Sequence, residues 1–176
     1  FQIELQLFAD VGLIGLPNAG KTSLLNALTR ARAKVAAYPF TTLDPNLGDF
    51  FGFIIADIPG LIAGAAEGKG LGFKFLRHVK RTRLLVHLVS LENEKPLLAY
   101  KTVRQELEKY NKELLEKLEI VVLSKKDCVD KNKIAKVKKA FQKLKKKIFV
   151  ISIFDEQTIK DFQDGLIKIL KKGWRK

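Results

Sequence analysis

The segment Gly15-Leu-Pro-Asn-Ala-Gly20-Lys21-Thr22 constrains this chain more than any other, because it fits G-x-x-x-x-G-K-[ST] in a specific setting. It follows the buried strand-like run Asp10 to Gly15 and opens a helix-like stretch from Lys21 to Arg30. The glycines let backbone N–H groups curl around a phosphate without side-chain obstruction, and the helix N-terminus adds a favourable dipole. Lys21 has the reach to meet β- and γ-phosphates, and the Thr22 hydroxyl is a suitable Mg²⁺ ligand. Gly15, Leu16, Pro17, Asn18, Ala19, Gly20, Lys21 and Thr22 are therefore the first candidate nucleotide-binding residues.

Beyond this loop, short strand-like runs alternate with longer helix-like stretches. Residues 31–48 carry Pro39 and Pro45 without a regular period and read as one long loop, a type that is usually functional. Phe50 to Ile58 is strand-like but broken by Gly52, and Gly64, Gly68, Gly70 and Gly72 precede a short helix around Phe73 to Lys80. Leu84 to Val89 predicts a strand, with His87 as a hydrogen-bonded residue of the core or the sheet edge. Tyr100, Val103, Leu107, Tyr110, Leu114 and Leu118 step by three and four and predict one long helix after Pro96. Ile120 to Leu123 is a strand, and Ile134, Val137, Phe141, Leu144 and Ile148 repeat the helical step. Phe149 to Ser152 is the last strand, before a helix lined by Ile159, Phe162, Leu166 and Leu170. Such alternation predicts a single α/β domain, its mostly parallel sheet flanked by helices on both faces, and the Gly15–Thr22 motif makes the expected fold that of a P-loop NTPase.

The P-loop leaves adenine and guanine open; later segments choose. Ser124-Lys125-Lys126-Asp127 resembles the N-K-x-D signature, with Ser124 in place of Asn. The Asp127 carboxylate suits the N1 and N2 donors of guanine, whereas adenine offers none there, and the Lys125 stem suits the base face. Ser152-Ile153-Phe154 follows the last strand and matches the S-A-x segment only at Ser152; its base contact comes from backbone N–H groups. Asp57-Ile58-Pro59-Gly60 matches D-x-x-G, where the carboxylate holds Mg²⁺ through water and the Gly60 N–H meets the γ-phosphate. Thr41 and Thr42 lie in the proline-bounded loop, one of them to complete the Mg²⁺ shell. The four elements in this order point to a guanine nucleotide switch.

Asp10 to Ser23, Tyr38-Pro-Phe-Thr-Thr-Leu43, Asp57 to Ile62, Glu67-Gly-Lys-Gly-Leu-Gly72, Phe75-Leu-Arg-His78 and Arg81-Thr-Arg83 closely resemble the G domain of the Obg family of ribosome-associated GTPases. The resemblance covers most of the chain, with the last 25 residues least specific. It implies a Ras-like G domain, with Thr42 as the Mg²⁺-ligating Thr and Phe40, Thr41, Thr42, Leu43 and Asp44 as the first switch. It also implies Mg²⁺-dependent GTP hydrolysis coupled to large-subunit assembly, with the large ribosomal subunit or its rRNA as partner. The expected organisation is one GTP-binding domain over residues 1–176, with the family's N-terminal glycine-rich domain absent and Phe1 just after its boundary. Departures are Ser124, Ile153 and a short connection between Leu47 and Ile54.

Hydrolysis requires an oriented water, a γ-phosphate in line and charge stabilisation. Lys21, Thr42 and Gly60 are the candidate catalytic residues. Many GTPases place Gln directly after D-x-x-G, but Leu61 has no hydrogen-bonding group, so slow hydrolysis is expected. The Asn in Gly15 to Lys21 resembles that of K⁺-activated GTPases, which makes a K⁺ ion near Asn18 a second cofactor candidate beside Mg²⁺. A GTP/GDP-sensing binding module with negligible hydrolysis is the main alternative; a P-loop ATPase or kinase and a structural RNA-binding domain are the others.

Composition bears on partners and compartment. The single Cys128 cannot pair within the chain, which suits a reducing, cytosolic compartment, and one Cys with two His cannot supply a tetrahedral zinc site at a recognisable spacing. No apolar run approaches the roughly 20 residues of a membrane span. The net charge of +14 is uneven: residues 1–60 carry −1, residues 61–124 carry +4 and residues 125–176 carry +11. Such a basic third suits RNA, although 26 of the 33 basic residues are Lys, which also serves simply to solvate helices. The expected state is a monomer without membrane attachment.

Overall fold

The computed structural model describes residues 9–29, 34–35, 46–58, 80 and 82–173. Seven strands form one sheet: β1 (Val11–Ile14), β2 (Lys34–Val35), β3 (Asn46–Phe50), β4 (Phe53–Asp57), β5 (Leu84–Ser90), β6 (Leu118–Ser124) and β7 (Lys147–Val150), in the spatial order 2-3-4-1-5-6-7. The pairs from β4 through β1, β5 and β6 to β7 are parallel; β2–β3 and β3–β4 are antiparallel. Among the described residues four helices cover it: α1 (Lys21–Thr29), α2 (Pro96–Tyr110), α3 (Lys131–Gln142) and α4 (Glu156–Lys172).

Burial on both sides explains the apolar strands. Leu84, Val86 and Leu88 of β5 face a layer built from Leu24, Leu25 and Leu28 of α1 and Phe162 and Leu166 of α4. Leu85 and Val89 face the opposite layer with Val103 and Leu107 of α2 and Phe141 of α3. A strand covered twice has no solvent face, so its sequence runs apolar rather than alternating. The mostly parallel sheet with helices on both faces is therefore the observed architecture.

Three local expectations change. The loop expected over residues 31–48 contains β2, and its end is β3, which is joined to β4 by a two-residue hairpin. Phe51 and Gly52 both have positive φ (51° and 87°), the primed turn whose twist suits a hairpin. Pro45 and Gly48 hid this strand from periodicity, although Leu47 and Phe50 are buried. The long helix ends at Tyr110: Asn111 is extended and its side chain accepts from the Glu113 N–H, starting a 3₁₀ turn at Lys112–Glu116. Leu114 is buried on that turn, while Leu118 begins β6 and is 58% exposed. Leu144 and Ile148 likewise fall beyond α3, Ile148 in β7. The helix expected around Phe73 to Lys80 falls almost wholly outside the described residues.

At the amino ends of β5 and β6 the core encloses charge. Glu119 is 4% exposed, and its carboxylate meets His87 Nδ1 (2.9 Å), the Tyr100 hydroxyl (3.3 Å), Lys146 Nζ (2.9 Å) and the Arg104 guanidinium. Burial opposes the charged form, but the His87 hydrogen bond and the Lys146 and Arg104 cations outweigh it and hold Glu119 at about 2. Burial keeps His87 below its ordinary value, and burial next to the Glu119 charge pushes the Tyr100 hydroxyl up. His87, stacked on Tyr100 at 4.6 Å, is thus the buried, hydrogen-bonded residue expected.

Candidate functional site

The carboxyl end of β1 turns directly into the Gly15–Thr22 loop. Gly15 has φ 151°, and a Cβ there would stand 2.5 Å from the Leu88 carbonyl oxygen, so both backbone and space demand glycine. Asn18 (φ 62°) and Gly20 (φ 93°) also take left-handed conformations, which curl the loop before α1. Leu16 anchors it by packing against both clusters on the α2–α3 face, while Pro17 and Asn18 are exposed. Lys21 folds back over the loop, its Nζ donating to the Gly15 and Leu16 carbonyls at 3.1 and 3.2 Å. Burial lowers the Lys21 pKa, and the Asp57 charge only partly offsets this. A partly buried ammonium held by carbonyls alone is an electrostatic seat for an anion.

Asp57 ends β4, registered beside Leu13 of β1, and is 5% exposed. Its Oδ2 accepts the Thr22 hydroxyl proton at 2.7 Å, whereas its Oδ1 is buried without a hydrogen-bond partner. An orphaned carboxylate oxygen next to a hydroxyl, under a phosphate-type loop, is an oxygen donor set that fits Mg²⁺. Thr22 and Asp57 are the described residues that would hold the ion. Ile58 contributes differently from what its place in D-x-x-G suggested: it is buried in the core beside Gly12. Phe40, Thr41, Thr42, Leu43, Asp44, Pro59 and Gly60 lie outside the described residues.

The ends of β5 and β6 build a second compartment of about 180 Å³, lined by Gly20, Ser124, Lys125, Asp127, Ile153 and Phe154 among others. Ser124 does not lie just after β6 but is its last residue, and its hydroxyl donates to the Ala19 carbonyl at 2.7 Å. The serine thus ties this compartment to the phosphate loop, rather than holding its hydroxyl free for a base. Lys125 adopts φ 60°, and its ammonium pairs with Glu92. Asp127 is exposed, and its pKa is lowered first by a hydrogen bond from the Ser152 hydroxyl. Ser152 in turn accepts from the Phe154 N–H at 3.1 Å, which closes the Ser152–Phe154 turn beside this compartment. Lys126 points away to Asp155 at 3.2 Å.

The structure therefore brings together the loop, Asp57, Ser124, Lys125, Asp127 and Ser152 to Phe154. Sequence reasoning missed six lining residues: Ser23, Leu24, Leu88, Glu92, Cys128 and Ile151. Glu92 follows the apolar β5 run by two positions, as a strand-end site residue does; Cys128 adjoins Asp127, and its Sγ lies 3.4 Å from Asp127 Oδ2.

Comparisons with known proteins find relatives of this chain. A family model described as "50S ribosome-binding GTPase" matches residues 10–126. "GTPase Obg" of Prochlorococcus marinus strain MIT 9301 is 48% identical over 181 residues, covering 99% of this chain and 53% of that protein. The protein of the same name from strain MED4 is 47% identical with the same coverage. The chain spans about half the length of these curated relatives. Among solved structures, an S. thermophilus NFeoB variant bound to GDP superposes with a TM-score of 0.65 at 20% identity, over 88% of this chain and 59% of that one. An Aquifex aeolicus Era variant bound to GDP·AlF₄⁻ gives 0.62 at 19% identity, over 92% and 55%. At these identities the structural likeness speaks to the fold alone.

Proposed function

This chain belongs to the 50S ribosome-binding GTPase family, and from that premise we propose that it binds GTP with Mg²⁺ and hydrolyses it slowly to GDP and phosphate. The observation that carries the reading is the Thr22–Asp57 pair, whose buried, unpartnered Asp57 oxygen lies under a phosphate-type loop. Lys21 leaves its two carbonyls for the β- and γ-phosphates, an exchange that gives its buried charge an anionic partner. Thr22 and, through water, Asp57 would hold Mg²⁺, which would supply charge neutralisation on the phosphates. Thr42 and Gly60 take the roles of switch threonine and γ-phosphate donor by resemblance to the family. Asp127, whose carboxyl the Ser152 hydroxyl holds below its ordinary value, accepts from the guanine edge, with the Lys125 stem along the base.

Hydrolysis is slow because Leu61 cannot orient water, and an external activator supplies what it lacks. A K⁺ ion near Asn18 is one source of additional positive charge. The switch acts in assembly of the large ribosomal subunit, through contact with that subunit or its rRNA, as a cytoplasmic monomer. Among the described residues no helix is long and apolar enough to cross a membrane. The second reading, a GTP/GDP sensor with negligible turnover, rests on Leu61 as well. Titration with fluorescent GTP and ATP analogues, followed by phosphate release, decides: GTP selectivity with slow release is expected. Equal affinity for ATP would overturn the guanine reading, and selective binding without any release would leave the sensor.

A further inference from the structure

The amino ends of β6 and β7 form an open groove of about 670 Å³, lined by five lysines and two glutamates, an excess of three positive charges. Its lysines are fixed by the fold. Lys146 is tied to buried Glu119 at 2.9 Å, and that single carboxylate must also serve Arg104. Lys117 donates to the carbonyls of Lys80 and Thr82 at 2.7 and 2.5 Å, so its charge is held without an anion. Lys145 stands at φ 54°, a left-handed conformation in the tight turn between α3 and β7, which sets the direction of its side chain. Lys147 lies 5.7 Å from the centre of the Phe149 ring, and Lys172 closes the groove from the end of α4. Lys145, Lys147 and Lys172 are exposed and have no carboxylate partner among the described residues.

We propose that this groove is a docking site for the phosphodiester backbone of RNA, distinct from the nucleotide site at the opposite ends of the strands. An enclosed, largely apolar cavity with a few converging polar groups would suit a small molecule; this groove is open, and its rim carries lysine charges that suit a row of phosphates. Lysine acts as a point charge rather than a bidentate fork, so the contact reads backbone and not sequence. The proposal deepens the ribosomal part of the proposed function by naming the face and the chemistry of contact. It does not depend on which nucleotide the other end takes.

The test uses the 176-residue chain and a fluorescein-labelled RNA hairpin of mixed sequence, followed by anisotropy across a salt series. In one variant Lys145, Lys147 and Lys172 are changed to Gln; in the other Lys131, Lys136 and Lys138, all exposed on α3, are changed to Gln. The groove variant should lose more than tenfold in RNA affinity near physiological salt. Its log–log salt slope should flatten by about two to three, the value for three lost phosphate contacts. The α3 variant should retain RNA affinity within about twofold, and both should keep the parent melting temperature and GDP affinity. Equal losses in the two variants would mean diffuse charge and overturn the proposal, as would RNA binding that the groove variant retains. Polyglutamate competing as well as unlabelled RNA would assign the groove to an acidic protein instead. Failure of GDP binding in the parent chain, by contrast, would count against the nucleotide reading alone.

Discussion

The two ends of the parallel strands treat buried polarity in opposite ways. At the carboxyl ends, Asp57 keeps a buried oxygen without a partner and Lys21 rests on two carbonyls. At the amino ends, Glu119 is met by His87, Tyr100, Arg104 and Lys146, with His87 Nε2 the one orphaned atom. A satisfied buried charge network stabilises and specifies a fold, whereas an unsatisfied one awaits a ligand. The same sheet therefore carries an incomplete polar cluster at one end and, beside the lysine groove, a structural knot at the other. The contrast breaks if disabling the knot changes nucleotide selectivity, or if disabling the site unfolds the chain.

The largest effect is expected from Glu119→Gln. Removing the carboxylate leaves Arg104 and Lys146 facing a neutral, buried amide, which should cost about 3–5 kcal/mol of stability. Nucleotide preference at low temperature should be unchanged. The pH dependence follows from the same groups. Glu119 is held at about 2, below its ordinary 4.5, so its contribution is full above 4.5 and is lost as pH falls toward 2. His87 is also depressed, so the unfolded chain takes up its proton first and stability begins to fall below 6.5. Denaturant midpoints from pH 7 to 3 should show both declines in the parent, and Glu119→Gln should lack the lower one. A parent curve that is flat over that range would show that the knot carries no net charge coupling.

At the other end, Asp127→Asn should leave stability unchanged, because Asp127 is exposed. It should weaken GTP by more than about tenfold, the worth of one charge-assisted hydrogen bond at roughly 1.5–3 kcal/mol. Xanthosine triphosphate should gain, because the base edge exchanges a donor for an acceptor. Competition binding with the two nucleotides measures this, and unchanged GTP affinity would remove the main support for guanine.

The two ends also differed in how far the sequence revealed them. Gly15 to Thr22 was legible because phosphate binding imposes residue types at fixed spacing, and Gly15 is demanded twice over by φ and by the Leu88 carbonyl. That Asp127 and the Ser152–Phe154 turn come together was legible from the order of the motifs. The Glu119 knot was not: its partners lie 15 to 32 positions from Glu119 and meet it only when β5, α2 and the turn before β7 pack on β6. Even Ser124 was only half legible. Its position marked the compartment at the ends of β5 and β6, but its hydroxyl reaches Ala19, 105 positions earlier, which no local pattern encodes. The β3–β4 hairpin escaped because Pro45 and Gly48 mask a strand held by pairing rather than by propensity.

That tether can be tested between the two binding motifs. Ser124→Ala should strand the buried Ala19 carbonyl and cost about 1–2 kcal/mol, shared between stability and GDP affinity. Asp127→Asn, in contrast, should affect the nucleotide only. A loss of GDP affinity in Ser124→Ala with an unchanged melting temperature would mean that the hydroxyl contacts the base after all.

The smallest expected effect concerns Asn18, where local geometry and ion binding make competing claims on one residue. Its φ of 62° gives a conformational reason for asparagine, which tolerates the left-handed region better than most side chains. An ion near its side-chain carbonyl would give a chemical reason, by placing positive charge where negative charge shifts in the transition state. Glycine separates the two, because it satisfies the backbone and supplies no ligand. If the ion matters, K⁺ should speed hydrolysis over Na⁺ at matched ionic strength by roughly fivefold, about 1 kcal/mol. Asn18→Gly should then bind GDP normally yet hydrolyse GTP at the same rate in both salts. Were Asn18→Gly to keep the K⁺ advantage, the ion would have to be held elsewhere. Identical rates in the parent protein would assign the asparagine to the turn alone and leave activation to an external partner.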